Sequence, residues 1–237
     1  MHGLLRSGIV WDLDHTLYET TDEIVKPWFV ALSKLAVERG LFDDAQVSFD
    51  TMYASYVRYG HGLTQIRLDH GIDEGEFIET AIKKFGDANF TSIQKIEPCN
   101  LTVSAITSHR HIPQVVLTSA KREWASRVLE RLALDAHFTG SRVVTLEDAG
   151  YESKAASRIP FDLAATAIGY PLSQLVMVED NPNNLKMAKD LGMATVLVTH
   201  GAGAHDATHI DFVVNKAYDV FSLISQGTIP WANVLHS

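Results

Sequence analysis

Two aspartates, Asp12 and Asp14, follow the apolar run Gly8-Ile9-Val10-Trp11 at an interval of two, and Thr16 repeats the interval. In an extended chain residues i and i+2 point to the same side, so both carboxyls can converge on one small volume. Like charges that close repel unless they share a proton or a cation. A metal, or one protonated carboxyl, is therefore part of this pattern's chemistry. The structural alternative makes Asp14 or Thr16 a turn or cap residue of the next segment.

Other apolar runs end in polar residues of complementary types. Thr118-Ser119 closes Gln114-Val115-Val116-Leu117, Lys154 follows Arg142-Val143-Val144-Thr145 after a loop, and Glu179-Asp180-Asn181 closes Gln174-Leu175-Val176-Met177-Val178. Strand carboxyl ends gather at one edge of an open α/β sheet, which is where such sheets bind ligands. The inventory is then acids for a hard cation, hydroxyl and amide donors for an anion, and one lysine to balance charge. It suits phosphoryl transfer. Phosphate monoesters need rate enhancements of up to ~10²¹, so a covalent nucleophile, a divalent cation and an acid for the leaving group would share the task. A competing constellation is His200, His205 and His209, since three imidazoles can hold zinc, but their spacing matches no familiar arrangement.

The elements that position these residues are legible in outline. Further strand patterns cover Ala194–Val198 and Asp211–Val214, and helical patterns lie between several strands at Glu123–Leu132, Phe161–Ile168 and Leu185–Leu191. Continuous apolar strands alternating with helices predict a doubly wound parallel sheet. Between the first and second strands the pattern is helical throughout. It predicts a helix from Trp28 to Gly40 with Pro27 in its first turn, then helices over Asp44–Tyr59, Leu63–His70 and Gly75–Phe85. Tyr53, Tyr56 and Tyr59 recur every three residues, which reads as core packing rather than a ligand-facing ridge. The predicted organisation is an α/β core from residues 1–17 and 106–237 with an inserted helical domain at 18–105.

Composition sets the outer bounds. The 237 residues are 46% hydrophobic and carry a formal charge of −9 with no run of Lys or Arg, which argues against nucleic acid polymers and anionic membranes as partners. The single cysteine, Cys99, excludes an intrachain disulfide and suits a reducing compartment. With the first strand near residue 8 and no bilayer-length apolar stretch, a cytoplasmic protein is expected.

Taken together, Asp12-Leu13-Asp14-His15-Thr16-Leu17, Thr118, Lys154 and Glu179-Asp180 resemble the four motifs of the haloacid dehalogenase superfamily of phosphohydrolases, and the helical insertion resembles that superfamily's type 1 cap. Tyr59-Gly60-His61-Gly62-Leu63, His70-Gly71-Ile72-Asp73 and Asp180-Asn181-Pro182-Asn183-Asn184-Leu185 are similar to the pyrimidine 5'-nucleotidase branch. The resemblance implies a Rossmann-like core and a Mg²⁺-dependent phosphatase acting on a small phosphorylated metabolite. Asp12 would attack phosphorus to form an aspartyl phosphate, and Asp14 would serve first as acid and then as base. Mg²⁺ would be held by Asp12, Asp180 and the backbone carbonyl of Asp14, with Glu179 acting through a water or, as the alternative, binding directly. Thr118, the Ser119 amide and Lys154 would bind the phosphoryl group. Proline usually follows the motif lysine, whereas Lys154 precedes Ala155, so Arg158 is the alternative. His15 would support the turn. Tyr18, Tyr59, His61 and Arg67 are the candidates for reading a nucleobase. The competing functions are a sugar-phosphate phosphatase, a phosphomutase, and a silent binding protein on the same fold; a dehalogenase has no use for an acid at Asp14.

Overall fold

The computed structural model describes residues 5–59, 61–202 and 207–232. Contacts divide the chain into two compact units, Met1–Glu19 with Glu97–Ser237, and Thr20–Ile96. Residues 18–19 and 97–105, assigned to the insertion from sequence, group with the first unit, and they include the helix at Asn100–Ser108. Its buried residues Thr102 and Ile106 explain this placement, since Ile106 also presents its carbonyl to buried Gln114 at the start of a strand.

The first unit is a parallel α/β sheet. Its elements are β1 (Gly8–Trp11), later β2 (Gln114–Leu117), β3 (Val143–Val144), β4 (Leu175–Glu179), β5 (Ala194–Val198) and β6 (Phe212–Val214), in spatial order β3-β2-β1-β4-β5-β6. All described pairings are parallel. Strands β1, β2, β4 and β5 are buried along their whole length, as the unbroken apolar runs require of strands covered on both faces. Val10, Val115, Leu117, Leu175, Met177 and Leu197 pack with Phe161, Leu185 and Ala188 into one core. Gly8 suits that packing. A Cβ there would lie 2.7 Å from Ile168 Cδ1 and 3.0 Å from Leu175 Cδ2, so both side-chain ends would have to shift to admit it.

The second unit is helical, with α1 (Asp22–Glu38), α2 (Ala45–Tyr59), α3 (Thr64–His70) and α4 (Glu74–Phe90). Returning to the first unit, the chain forms α5 (Asn100–Ser108), α6 (Arg122–Arg131), α7 (Ile159–Ile168), α8 (Pro182–Asp190) and α9 (Asp219–Ser225). Helix α1 starts six residues before Trp28, so Pro27 lies inside it and not in its first turn. Asp22 and Glu23 at the N-terminal end of the helix dipole favour the earlier start, and the proline forgoes a single backbone bond. The tyrosine ridge also differs from expectation. The buried residues of α2 are Ser48, Met52 and Ser55, while Tyr53 is exposed and joins Phe29, Phe49 and Tyr56 in an aromatic cluster. Gly62 admits the ring of Phe29, whose Cε1 would stand 2.4 Å from a Cβ at that position.

Candidate active site

Strand order reverses at β1. From there the chain first builds outward through β2 and β3, then returns to β4 on the other side and continues through β5 and β6. Such a switch point opens a crevice beyond the strand carboxyl ends, and Asp12 and Asp180 leave the two strands that border it. Register fixes their proximity. Trp11 pairs with Val178, and the Asp12 amide donates to the Val178 carbonyl at 2.9 Å, so Asp12 stands beside Glu179. On the other side Trp11 pairs with Val116, which brings Leu117 and Thr118 to the same edge.

Lys154 reaches this edge from the loop after β3. Its ammonium is buried and donates to Asp12 Oδ1, to Glu179 Oε2 at 2.7 Å and to the Leu117 carbonyl at 3.3 Å. Arg158 instead pairs with Asp162 on the surface. Between the two candidates for the third motif, the structure brings Lys154 and not Arg158 to Asp12. Glu179 Oε1 accepts from the Asn181 amide at 3.2 Å, and Asp180 Oδ1 accepts from the Thr16 hydroxyl at 3.2 Å.

Asp12, Glu179 and Asp180 each offer an oxygen within 4.8 Å of the others. Burial and mutual repulsion push all three carboxyls up to about 7, because a single lysine cannot neutralise three charges. The two carboxylates around Lys154 hold its ammonium well above the usual lysine range. A set of oxygen donors, two of them buried and Asp180 half-buried, with unmet negative charge fits a hard divalent cation. No histidine cluster with metal-ligand proximity exists among the described residues. His205 lies outside them, and His200 is engaged elsewhere: its Nε2 lies 2.6 Å from the His15 carbonyl and its ring lies tilted against that of His15, with centroids 4.6 Å apart.

The loop between Asp12 and Leu17 is tightly folded. His15 takes a left-handed backbone at φ 61°, and the Leu17 amide donates to the Leu13 carbonyl at 3.0 Å. A non-glycine residue there costs of order 1 kcal/mol or more, offset here by the His200 contact to its carbonyl. His15 is half-buried, and desolvation lowers its ionisation to about 4, so it is neutral near pH 7.

Asp14 is held by three donors. Its Oδ1 accepts from the Tyr18 hydroxyl at 2.5 Å and from the Trp124 indole at 2.8 Å, while Oδ2 lies 3.4 Å from the Thr118 hydroxyl. Thr118 Oγ1 also accepts from the Ala120 amide at 3.0 Å, and Ser119 is half-buried beside it. Tyr18 thus differs from its expected role as a base reader: it is 1% exposed, with its hydroxyl committed to Asp14. In the helical unit His61 and Arg67 both contact Glu74, at 3.3 and 2.7 Å, and Tyr59 donates to Gln65 at 3.3 Å. Trp124 was not visible as a site residue in the sequence. The signal available was its place in the first turn of α6, six residues after Thr118.

The haloacid dehalogenase-like hydrolase profile matches residues 7–192, and the chain belongs to that family; it is an enzyme, a hydrolase. Among curated relatives, a phosphoglycolate phosphatase of Neisseria meningitidis is 24% identical over 231 residues, covering 90% of this chain and 92% of the relative. Among solved structures, a phosphatase of the family from Thermococcus onnurineus superposes with a TM-score of 0.64 at 15% identity, covering 92% of this chain and 97% of that one. L-2-haloacid dehalogenase from Xanthobacter autotrophicus superposes with a TM-score of 0.57 at 14% identity, covering 93% and 98%. Identities this low establish the shared fold, which hosts both chemistries, so the reaction has to be argued from the site.

Proposed function

We propose that this phosphatase hydrolyses small phosphomonoesters through an aspartyl phosphate on Asp12. The observation that carries the reading is the cluster of Asp12, Glu179 and Asp180, the first two buried and paired with Lys154, with Asp14 held two residues beyond the nucleophile. A dehalogenase needs the nucleophile but has no leaving oxygen to protonate, whereas Asp14 here is oriented by three side-chain donors.

The chain's own residues divide the work as follows. Lys154 orients Asp12 by hydrogen bond and charge, leaving the second carboxylate oxygen to attack phosphorus. The phosphorus–oxygen bond to the leaving group breaks with its electron pair on that oxygen, which takes a proton from Asp14. In the second half, Asp14 takes a proton from water while the water oxygen bonds to phosphorus, releasing phosphate and restoring Asp12. Thr118 and the Ser119 amide hold the phosphoryl oxygens, and Lys154 offsets their charge. Mg²⁺, held by Asp12, Asp180 and the Asp14 carbonyl with Glu179 acting through a water, would supply the positive charge that keeps the carboxylates ionised near neutral pH.

The substrate is a small phosphorylated metabolite. The motif resemblance supports a pyrimidine nucleoside monophosphate, while the curated relatives' names support a small phosphorylated acid such as phosphoglycolate. A single cysteine suits a reducing, cytoplasmic setting, and no described helix is long and apolar enough to cross a membrane. The test is a panel of uridine, cytidine and adenosine monophosphates, sugar phosphates and phosphoglycolate with purified protein and Mg²⁺. Release of phosphate from at least one group, lost in Asp12→Asn, is expected. Absence of metal-dependent release from every ester would overturn the reading, and a flat profile or a preference for sugar phosphates would remove the nucleotidase branch alone.

A further inference from the structure

Two donors from different parts of the chain converge on one oxygen of Asp14. Tyr18 belongs to the segment that closes the β1 loop, and its buried ring places the hydroxyl 2.5 Å from Oδ1. Trp124 sits in the first turn of α6 and places its indole N–H 2.8 Å from the same atom. The start of that helix is itself tied down, since the Arg122 amide donates to Glu147 Oε2 at 2.9 Å and its guanidinium pairs with Asp148. A carboxyl oxygen offers two lone pairs, so Oδ1 is fully used. The other oxygen meets only a long contact from Thr118 at 3.4 Å among the hydrogen bonds described. A carboxyl torsion is ordinarily broad and two-fold, but here the two oxygens are no longer equivalent.

We propose that Tyr18 and Trp124 are positioning residues that clamp Asp14 Oδ1, so that the catalytic proton is carried on Oδ2 and presented to the leaving oxygen. The inference rests on the phosphatase reading and deepens it. In the first half-reaction the Asp12 oxygen–phosphorus bond forms, the phosphorus–leaving oxygen bond breaks, and the Oδ2 proton passes to the departing oxygen as Asp14 becomes a carboxylate. The clamp is satisfied throughout, because Tyr18 and Trp124 only donate to Oδ1. No hydrogen bond has to be exchanged at the moment of proton transfer, which is the condition for a preorganised acid.

Tyr18→Phe and Trp124→Phe each delete one donor while keeping a ring. The readout is kcat/KM for two esters of different leaving group, p-nitrophenyl phosphate and phenyl phosphate. Nitrophenolate departs without a proton, whereas phenolate, with a pKa of about 10, needs one. Acid catalysis is worth about 10²–10⁴-fold, so misaligning it should lower kcat/KM on phenyl phosphate about tenfold in each variant and further in the double variant. The nitrophenyl ester should change less than about threefold. Equal losses on both esters, no change, or a gain in either variant would overturn the clamp. Should Tyr18→Phe fail to fold, Trp124→Phe at its half-buried position decides alone. Asp12→Asn separates the two levels: if it is inactive while leaving-group dependence is unaltered by the ring variants, the phosphatase stands and the clamp falls. A wild-type enzyme inactive on both esters would refute both.

Discussion

Removing the Lys154 ammonium should destabilise the protein by an amount that grows with pH. Lys154 pairs with two buried carboxyls, Asp12 and Glu179, beside the half-buried Asp180, and all three are pushed up to about 7 by desolvation and by their neighbours. A carboxyl that ionises near 4 when unfolded and near 7 when folded binds its proton more tightly in the native state. Its contribution to stability is full at low pH and is lost as pH rises through 7, by about 4 kcal/mol for one such group. In Lys154→Met the attraction that offsets this loss disappears. At pH 5 the carboxyls can keep their protons, and the variant should lose about 1–2 kcal/mol through missing hydrogen bonds. At pH 8 it leaves uncompensated buried charge, which costs about 3–5 kcal/mol. For a chain of this length 1 kcal/mol moves Tm by about 2–4 °C, so metal-free Tm should fall by about 10 °C at pH 8 and by less than half of that at pH 5. Scanning calorimetry of wild type and variant at both pH values measures it. A loss independent of pH, or larger at pH 5, would refute the argument.

The same cluster sets two further expectations, and Asp14 a third. Metal competes with protons for these carboxylates, so Mg²⁺ should raise the Tm of the wild-type protein more at pH 8 than at pH 5; an equal shift, or none, in differential scanning fluorimetry would argue against the cluster as its site. Asp180→Asn should raise the Mg²⁺ needed for half-maximal activity at least about tenfold, and Glu179→Gln less, because Glu179 is already committed to Lys154; titrations in the reverse order would make Glu179 the direct ligand. Asp14→Asn should still be phosphorylated by p-nitrophenyl phosphate but release phosphate slowly for lack of a base, so rapid-quench labelling should show the phosphoenzyme accumulating. Normal turnover without accumulation would remove Asp14 from the second half-reaction.

Much of this site is local in sequence, and that is why it could be read there. Asp12, Thr118 and Asp180 each end an apolar run, and parallel pairing turns such ends into neighbours without knowledge of any side-chain contact. Lys154 was harder. It lies in a loop whose path the pattern does not specify, and only the buried contacts to Asp12 and Glu179 separate it from Arg158. Trp124 was illegible because its partner lies 110 residues away and helix periodicity alone assigns it to a surface turn. Tyr18 was misread for the converse reason, since an aromatic donor beside a motif suits either a ligand or a carboxylate. Pro27 marked a boundary by propensity that the packing of Ile24 and Phe29 overrode.

Covalent labelling of Asp12 tests the central claim most directly. The enzyme, mixed in slight excess with a phosphate-labelled aryl ester and Mg²⁺ and quenched in acid within milliseconds, is digested and the labelled peptide sequenced by mass spectrometry. An acid-stable, base-labile phosphoryl group on Asp12, formed and lost at rates that account for turnover and absent in Asp12→Asn, is the expected result. A label on another residue, or turnover by Asp12→Asn at more than a trace of the wild-type rate, would contradict it.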